Sequence, residues 1–131
     1  EKLAEIITDV KKNTAYKNKK HPATKTFQGI RIFINNELEE LKLFLDNSLE
    51  LLNPKGRLCI ISFHSLEDRI VKRFFRDNSR IDPNLAKLPN MQDTSMLKVI
   101  AKKIKPTESE IIHNPRARSA VLRVAERTSL L

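Results

Sequence analysis

Glycine is almost missing from this 131-residue chain: only Gly29 and Gly56 occur. Nucleotide-type cofactor sites need clustered glycines where the backbone approaches the ligand. Two isolated glycines cannot build such a loop, so no cofactor-binding loop is expected here. Cysteine is rarer still. Cys59 stands alone in the apolar run Leu58-Cys59-Ile60-Ile61, which excludes an intrachain disulfide and predicts a buried small hydrophobe rather than a nucleophile or ligand. No run approaches the ~18 apolar residues of a membrane span, and Glu1-Lys2 is unlike a secretory leader. The expected location is the cytoplasm, with no membrane partner. Acids are also in short supply, 16 against 25 Lys plus Arg, for a net charge of +9. Such an excess favours a polyanion, because each phosphate contact releases condensed counterions.

What is present has the size of one small domain with a modest core. Leu3, Ile6, Ile7 and Val10 fall at helical spacing and predict an opening amphipathic helix. Residues 11–25 then carry six lysines and no acid. His21-Pro22 interrupts helical geometry, so this stretch reads as an exposed basic loop with Lys17, Lys19 and Lys20 as phosphate contacts. Phe27, Ile30, Ile34, Leu38, Leu41, Leu45, Leu49 and Leu52 keep one unbroken helical phase. They suit one long helix, or two meeting at Asn35-Asn36, and Asn36 with Glu39 as a capping-box-like start favours two. Asn53-Pro54-Lys55-Gly56 stops the run.

Residues 57–63 are nearly continuously apolar, which predicts a central parallel strand. Ser65 then reads as the cap of a further helix with Asp68 at its third position. Leu66, Ile70, Val71, Phe74 and Phe75 form its expected buried side. Arg69, Arg73, Arg76 and Arg80 share an opposite stripe, with Lys72 at the margin, and arginines so placed can clasp phosphates. Residues 82–95 read as a loop. A strand over 97–104, with Leu97, Val99 and Ala101 on one side, precedes a short helix capped by Thr107 and closed by Asn114-Pro115. A last strand begins near Ala120.

Three constellations could carry chemistry. Ser62, His64, Ser65 and Asp68 offer hydrolase residue types, but one short turn cannot place a histidine between acid and nucleophile, and no G-x-S-x-G elbow occurs. The same turn lies where open α/β sheets bind ligands, so His64, Ser65, Asp68 and Arg69 are candidates to face a substrate. His21, His64 and His113 lack paired zinc-ligand spacing, and no metal is expected. Arg116 and Arg118 share a face if extended, which suits phosphate or base contact.

Three stretches, His21-Pro22-Ala23-Thr24-Lys25-Thr26-Phe27-Gln28, Ser62-Phe63-His64-Ser65-Leu66-Glu67-Asp68-Arg69 and Asn114-Pro115-Arg116-Ala117-Arg118-Ser119-Ala120, resemble in order and spacing the RsmH (MraW) family of 16S ribosomal RNA cytosine-N4 methyltransferases. Leu122-Arg123-Val124-Ala125-Glu126-Arg127 is similar to that family's ending. The resemblance implies an α/β, Rossmann-like class I methyltransferase with a helical insertion domain. Residues 1–33 would belong to the insertion and residues 34–131 to the C-terminal half of the catalytic domain. It further implies S-adenosylmethionine as methyl donor and 16S ribosomal RNA in the small subunit as partner. The family's glycine-rich loop, its ribose-binding acid and its post-strand-four motif have no counterparts here. The cofactor would therefore be held mainly by an N-terminal half, and this chain alone is expected to be inactive. The substrate-side candidates carried over are His21, Thr24, His64, Ser65, Asp68, Arg69, Arg116 and Arg118, with Arg73, Arg76 and Arg80 as phosphate contacts. The strand over 58–63 expects neighbours on both edges, so a missing segment or a second copy in a homodimer is expected to complete the sheet. The rival reading is a non-enzymatic basic RNA-binding module. A protein with no nucleic-acid partner ranks third.

Overall fold

A computed structural model of the chain describes residues 1–12, 21–80 and 95–128. These fall into two compact units, Glu1–Glu37 and Leu38–Leu131. Among the described residues no helix is long and apolar enough to cross a membrane.

In the first unit, α1 (Lys2–Lys12) and α2 (Thr24–Asn35) account for the helical periods. The stripe of α1 has the predicted spacing, yet Leu3, Ile6 and Val10 are exposed. The Lys11 Nζ donates to the Pro22 carbonyl, 2.6 Å away. Helix α2 already begins at Thr24, so Thr24 and Lys25 are helical rather than part of a basic loop. Lys17, Lys19 and Lys20 lie outside the described residues. Two helices replace one long one, as the Asn36 signal suggested. The mechanism differs: Asn36 adopts φ 50°, and its N–H meets the Ile32 and Phe33 carbonyls, so it ends α2 by a left-handed turn. Asparagine tolerates that conformation better than most residues.

The second unit is built on a three-stranded antiparallel sheet in the order β1-β3-β2. The strands are β1 (Arg57–Ser62), β2 (Leu97–Ile104) and β3 (Val121–Arg127). The expected central parallel strand is thus an edge strand, paired only with β3 among the described residues, and antiparallel to it. An apolar run reports burial but not strand order, and the burial itself alternates along β1. Cys59 falls on the open side and is exposed, not buried. Because β1 and β2 both oppose β3, they run parallel to each other, with β3 inserted between them.

One sheet face is covered by α3 (Glu37–Leu51) and α4 (Ser65–Asn78). Leu45 from α3, Val71 and Phe75 from α4, and Leu58, Leu97 and Ala125 from the three strands make the core. Ile70 and Phe74 pack at its margin as predicted, whereas Leu66 is exposed. Burying each such aliphatic or aromatic side chain contributes on the order of 1.5–3 kcal/mol. Register shifts after Val99 and after Ala101 break the expected alternation in β2. Val99 faces Ala125, but Ala101 faces Val124, so the two lie on opposite sides, the usual consequence of an extra residue in one strand.

Between α3 and β1 the chain reverses at Lys55, φ 66°. Lys55 N–H donates to the Arg127 carbonyl and Arg127 N–H to the Gly56 carbonyl, so the turn is tied to the end of β3. Gly56 is needed for close approach: a Cβ there would lie 2.7 Å from the Asn53 carbonyl oxygen.

Candidate functional site

Strand β1 ends at Ser62 and α4 begins at Ser65, and the turn between them is organised by His64. The N-cap is His64, not Ser65, and its reciprocal partner is Glu67, not Asp68. The sequence reading placed the box one residue late, because serine caps far more often than histidine. The His64 Nδ1 accepts from the Glu67 N–H at 3.4 Å. The Glu67 carboxylate in return accepts from the N–H groups of Phe63 and His64, at 2.9 and 3.3 Å. Three backbone donors at the helix start are thereby satisfied, and an acid sits where the helix dipole favours it. With Nδ1 accepting, the neutral ring carries its proton on Nε2. That atom lies 3.2 Å from Glu67 Oε1 but out of hydrogen-bond alignment.

Ser62 Oγ and His64 Nε2 are both buried and without a hydrogen-bond partner among the described residues. Ser62 is 2% exposed. A buried polar group left unpaired costs roughly 1–3 kcal/mol, and two such groups within one turn mark a place built to meet something else.

Asp68 is spoken for. Its two oxygens accept from Arg123 Nε and Nη2 on β3, each at 2.8 Å. The third arm of Arg123, Nη1, donates to the Lys102 carbonyl on β2. The Arg123 hydrogen bonds hold the Asp68 carboxyl below its ordinary value, against the opposing effect of burial. Arg123 was missed by the sequence reading, although a charge inside the alternating run Leu122-Arg123-Val124 signals a buried, paired side chain. Ser65 and Arg69 are exposed beside this turn.

Arg116 and Arg118 lie in a 3-10 turn, Pro115–Ser119, after α5 (Glu108–His113). The extended geometry expected for them does not occur. At three residues per turn, positions two apart point about 240° apart around the axis, so the two arginines do not share a face. The register nevertheless brings them to the same end of the sheet as His64: Ser62 pairs with Val121, and the 3-10 turn ends just before Val121. Thr107 caps α5 as predicted, accepting from the Glu110 N–H. In the first unit, His21 Nδ1 accepts from the Ala23 N–H at 3.2 Å, and Thr24 is the exposed first residue of α2.

The arginine stripe is divided by its surroundings. Arg76 pairs with Asp77 at 2.7 Å. Arg76 and Arg80 line a groove against β2, together with Lys72, and Arg73 is not among its lining residues.

Both glycines fall among the described residues, away from any strand-to-helix loop. Gly29 lies within α2, where an added Cβ would meet open space, and Gly56 lies in the α3–β1 turn, so neither opens a strand-to-helix loop.

The sequence matches the MraW methylase family over residues 1–128. It is 52% identical over 132 residues to the ribosomal RNA small subunit methyltransferase H of Nitrosomonas europaea, covering 95% of this chain and 42% of that protein. The protein of the same name from Nitrosococcus oceani is 55% identical over 128 residues, 95% of this chain and 40% of its own. That of Xylella fastidiosa is 50% identical over 133 residues, with 98% and 42% covered. The chain thus spans about two fifths of the length of these curated relatives. With the match running through all three motifs, the chain belongs to the MraW methylase family.

Proposed function

We propose that this chain is the RNA-facing C-terminal portion of an enzyme that transfers a methyl group from S-adenosylmethionine to a cytosine N4 in 16S ribosomal RNA. Residues 1–33 would belong to a helical insertion domain, and residues 34–131 would close a Rossmann-like class I sheet. The observation that carries the reading is the pair of buried, unpartnered polar atoms, Ser62 Oγ and His64 Nε2, at the carboxyl end of β1. Open α/β sheets place ligands at that end. The family membership, the relatives' name and the +9 charge support the same substrate.

In this reading, the amine lone pair of cytosine is delocalised, so the base must be held in line with the methyl donor and its proton accepted. A base within structured RNA must first be splayed out. His64 and Ser62 would bond the base edge, Ser65 and Arg69 would flank it, and Arg116 and Arg118 would hold neighbouring phosphates. Asp68 would act only by fixing Arg123 and the first turn of α4. S-adenosylmethionine would be held by residues outside this chain, and His21 and Thr24 would approach the RNA from the insertion.

The test incubates this chain, and separately a version extended N-terminally to the full length of its relatives, with labelled S-adenosylmethionine and small ribosomal subunits. Label on a cytosine N4 with the extended protein only is the expected result. No transfer by the extended protein, with salt-sensitive RNA binding retained, would replace the enzyme reading by a basic RNA-binding module. The groove beside α4 is the observation that favours that second reading.

A further inference from the structure

Along α4, away from the His64 turn, a cavity of about 680 Å³ opens between that helix and β2. Lys72 and Arg76, one turn apart on α4, line one wall with Arg80, which lies just past the end of that helix, and Lys98 and Lys102 of β2 line the other. Half-buried Val99 gives the groove its apolar floor, with Phe75 and Leu97 nearly fully buried beneath it at 3% and 1% exposure. Among the described residues no Asp or Glu lines the groove.

The pairing of these cations separates structure from spare charge. Arg123, also on the lining, is committed to Asp68, and Arg76 is paired with Asp77. Lys72, Arg80, Lys98 and Lys102 make no ion pair among the described residues. Like charges gathered around one groove favour an anion between them, and the more so at low salt. Asp68 offsets Lys72 and Asp77 offsets Arg80 only through space, without an ion-pair contact. An apolar floor beneath a cationic rim favours a ligand with phosphates outside and a flat, weakly polar body inside.

We propose that this groove binds the phosphodiester backbone of a single RNA strand, with a ribose or base over the Val99 floor. The proposal rests on the RNA-substrate reading above only for which RNA supplies the strand. Lys72 lies eight residues beyond His64, about 12 Å along the helix axis, so the groove is a second contact site, apart from the one at the carboxyl end of β1. It would hold flanking RNA while the target base is engaged at the sheet end. Sequence-independent phosphate contacts fix register in this way without reading the base.

The test uses the double variant Lys98→Glu with Lys102→Glu, both exposed, in the chain extended to full length. The control is Lys2→Glu with Lys42→Glu, which changes net charge equally on α1 and α3. Fluorescence anisotropy with a single-stranded oligoribonucleotide is read across salt concentrations. The groove variant is expected to bind at least about tenfold more weakly near 0.1 M salt. Its log K against log salt slope should fall by about 1.4, two phosphates at ~0.7 each. The control should lose much less. Equal losses in both variants would overturn the groove and leave only general charge attraction. Competition by inorganic pyrophosphate at concentrations matching the oligonucleotide's would also overturn the strand assignment, in favour of a small phosphate ligand. Methyl transfer by the unsubstituted extended protein, measured in parallel, reports the enzyme reading separately, so failure of one does not mimic failure of the other.

Discussion

Asp68 in the first turn of α4 and Arg123 in the middle strand of the sheet form a two-pronged ion pair, both contacts 2.8 Å, with the arginine 7% exposed. The residues are 55 positions apart in sequence, so the pair locks the helix that carries the His64 turn onto β3. Geometry of this kind is among the stronger charge-assisted bonds. Its removal one partner at a time is costly, because a buried charge is left behind.

Asp68→Asn should therefore destabilise the protein by about 3 kcal/mol, the lower end for breaking a buried pair, since the Asp68 side chain retains 22% exposure. Urea denaturation followed by circular dichroism measures this. A change below about 0.5 kcal/mol would show that Arg123 finds equivalent partners elsewhere.

The same pair sets an acid limit. Arg123 foremost, then Lys103 and Lys72, hold the Asp68 carboxyl below its ordinary value of 3.8 in the folded protein. A depressed carboxylate contributes stability above its unfolded pKa and loses it as pH falls through the folded one. The stability gap between the parent and Asp68→Asn should be full at pH 6–7 and should close below about pH 4. Urea midpoints at several pH values test the sign: a gap that widens on acidification would be incompatible with this pairing.

His64 combines a cap with an unpartnered ring nitrogen, and the two can be separated. Glu67→Ala removes the reciprocal half of the capping box and should cost about 1 kcal/mol. His64→Asn keeps an acceptor at the N-cap, so stability should change little. Under the proposed function it should nevertheless lower methyl transfer by the extended protein about tenfold, the value of one lost hydrogen bond to the base. Equal transfer by His64→Asn and the parent would confine His64 to capping.

Ser62 gives a test with opposite signs. Its hydroxyl is buried and unpartnered among the described residues, so Ser62→Ala should leave this chain's stability unchanged or raise it by up to about 1 kcal/mol. In the extended protein the same substitution should reduce methyl transfer. Thermal melts and transfer rates measured together would expose a purely structural serine, which would lower stability and leave the rate intact.

Gly56→Ala should destabilise by about 1–3 kcal/mol, the usual cost of forcing an atom into a filled space. The added Cβ would lie 2.7 Å from the Asn53 carbonyl oxygen and 3.2 Å from Leu52 Cδ2. Because this turn bonds to the end of β3, denaturation midpoints should drop without loss of secondary structure in the folded baseline.

By itself the sequence determined which elements exist and in what order. Apolar spacing located α1, α2 and α3, the cluster around Pro54 ended the helical run, and Thr107 announced α5, because these signals act over three or four residues of one segment. The three separated motifs were equally legible and pointed to the family that the chain belongs to. Only the tertiary structure decided what lies beside what. Whether β1 is central or an edge depends on the distant β3, not on its own apolar residues. Val99 and Ala101 part company because a register shift is negotiated between two strands. The cap is His64 with Glu67 rather than Ser65 with Asp68, and Asp68 is engaged by Arg123, 55 positions away, a partner that no local pattern announces. Likewise, four spaced arginines were visible in the sequence, but α4 ends at Asn78 before Arg80, and which of them line the groove with the lysines of β2 was fixed by packing that no local pattern encodes.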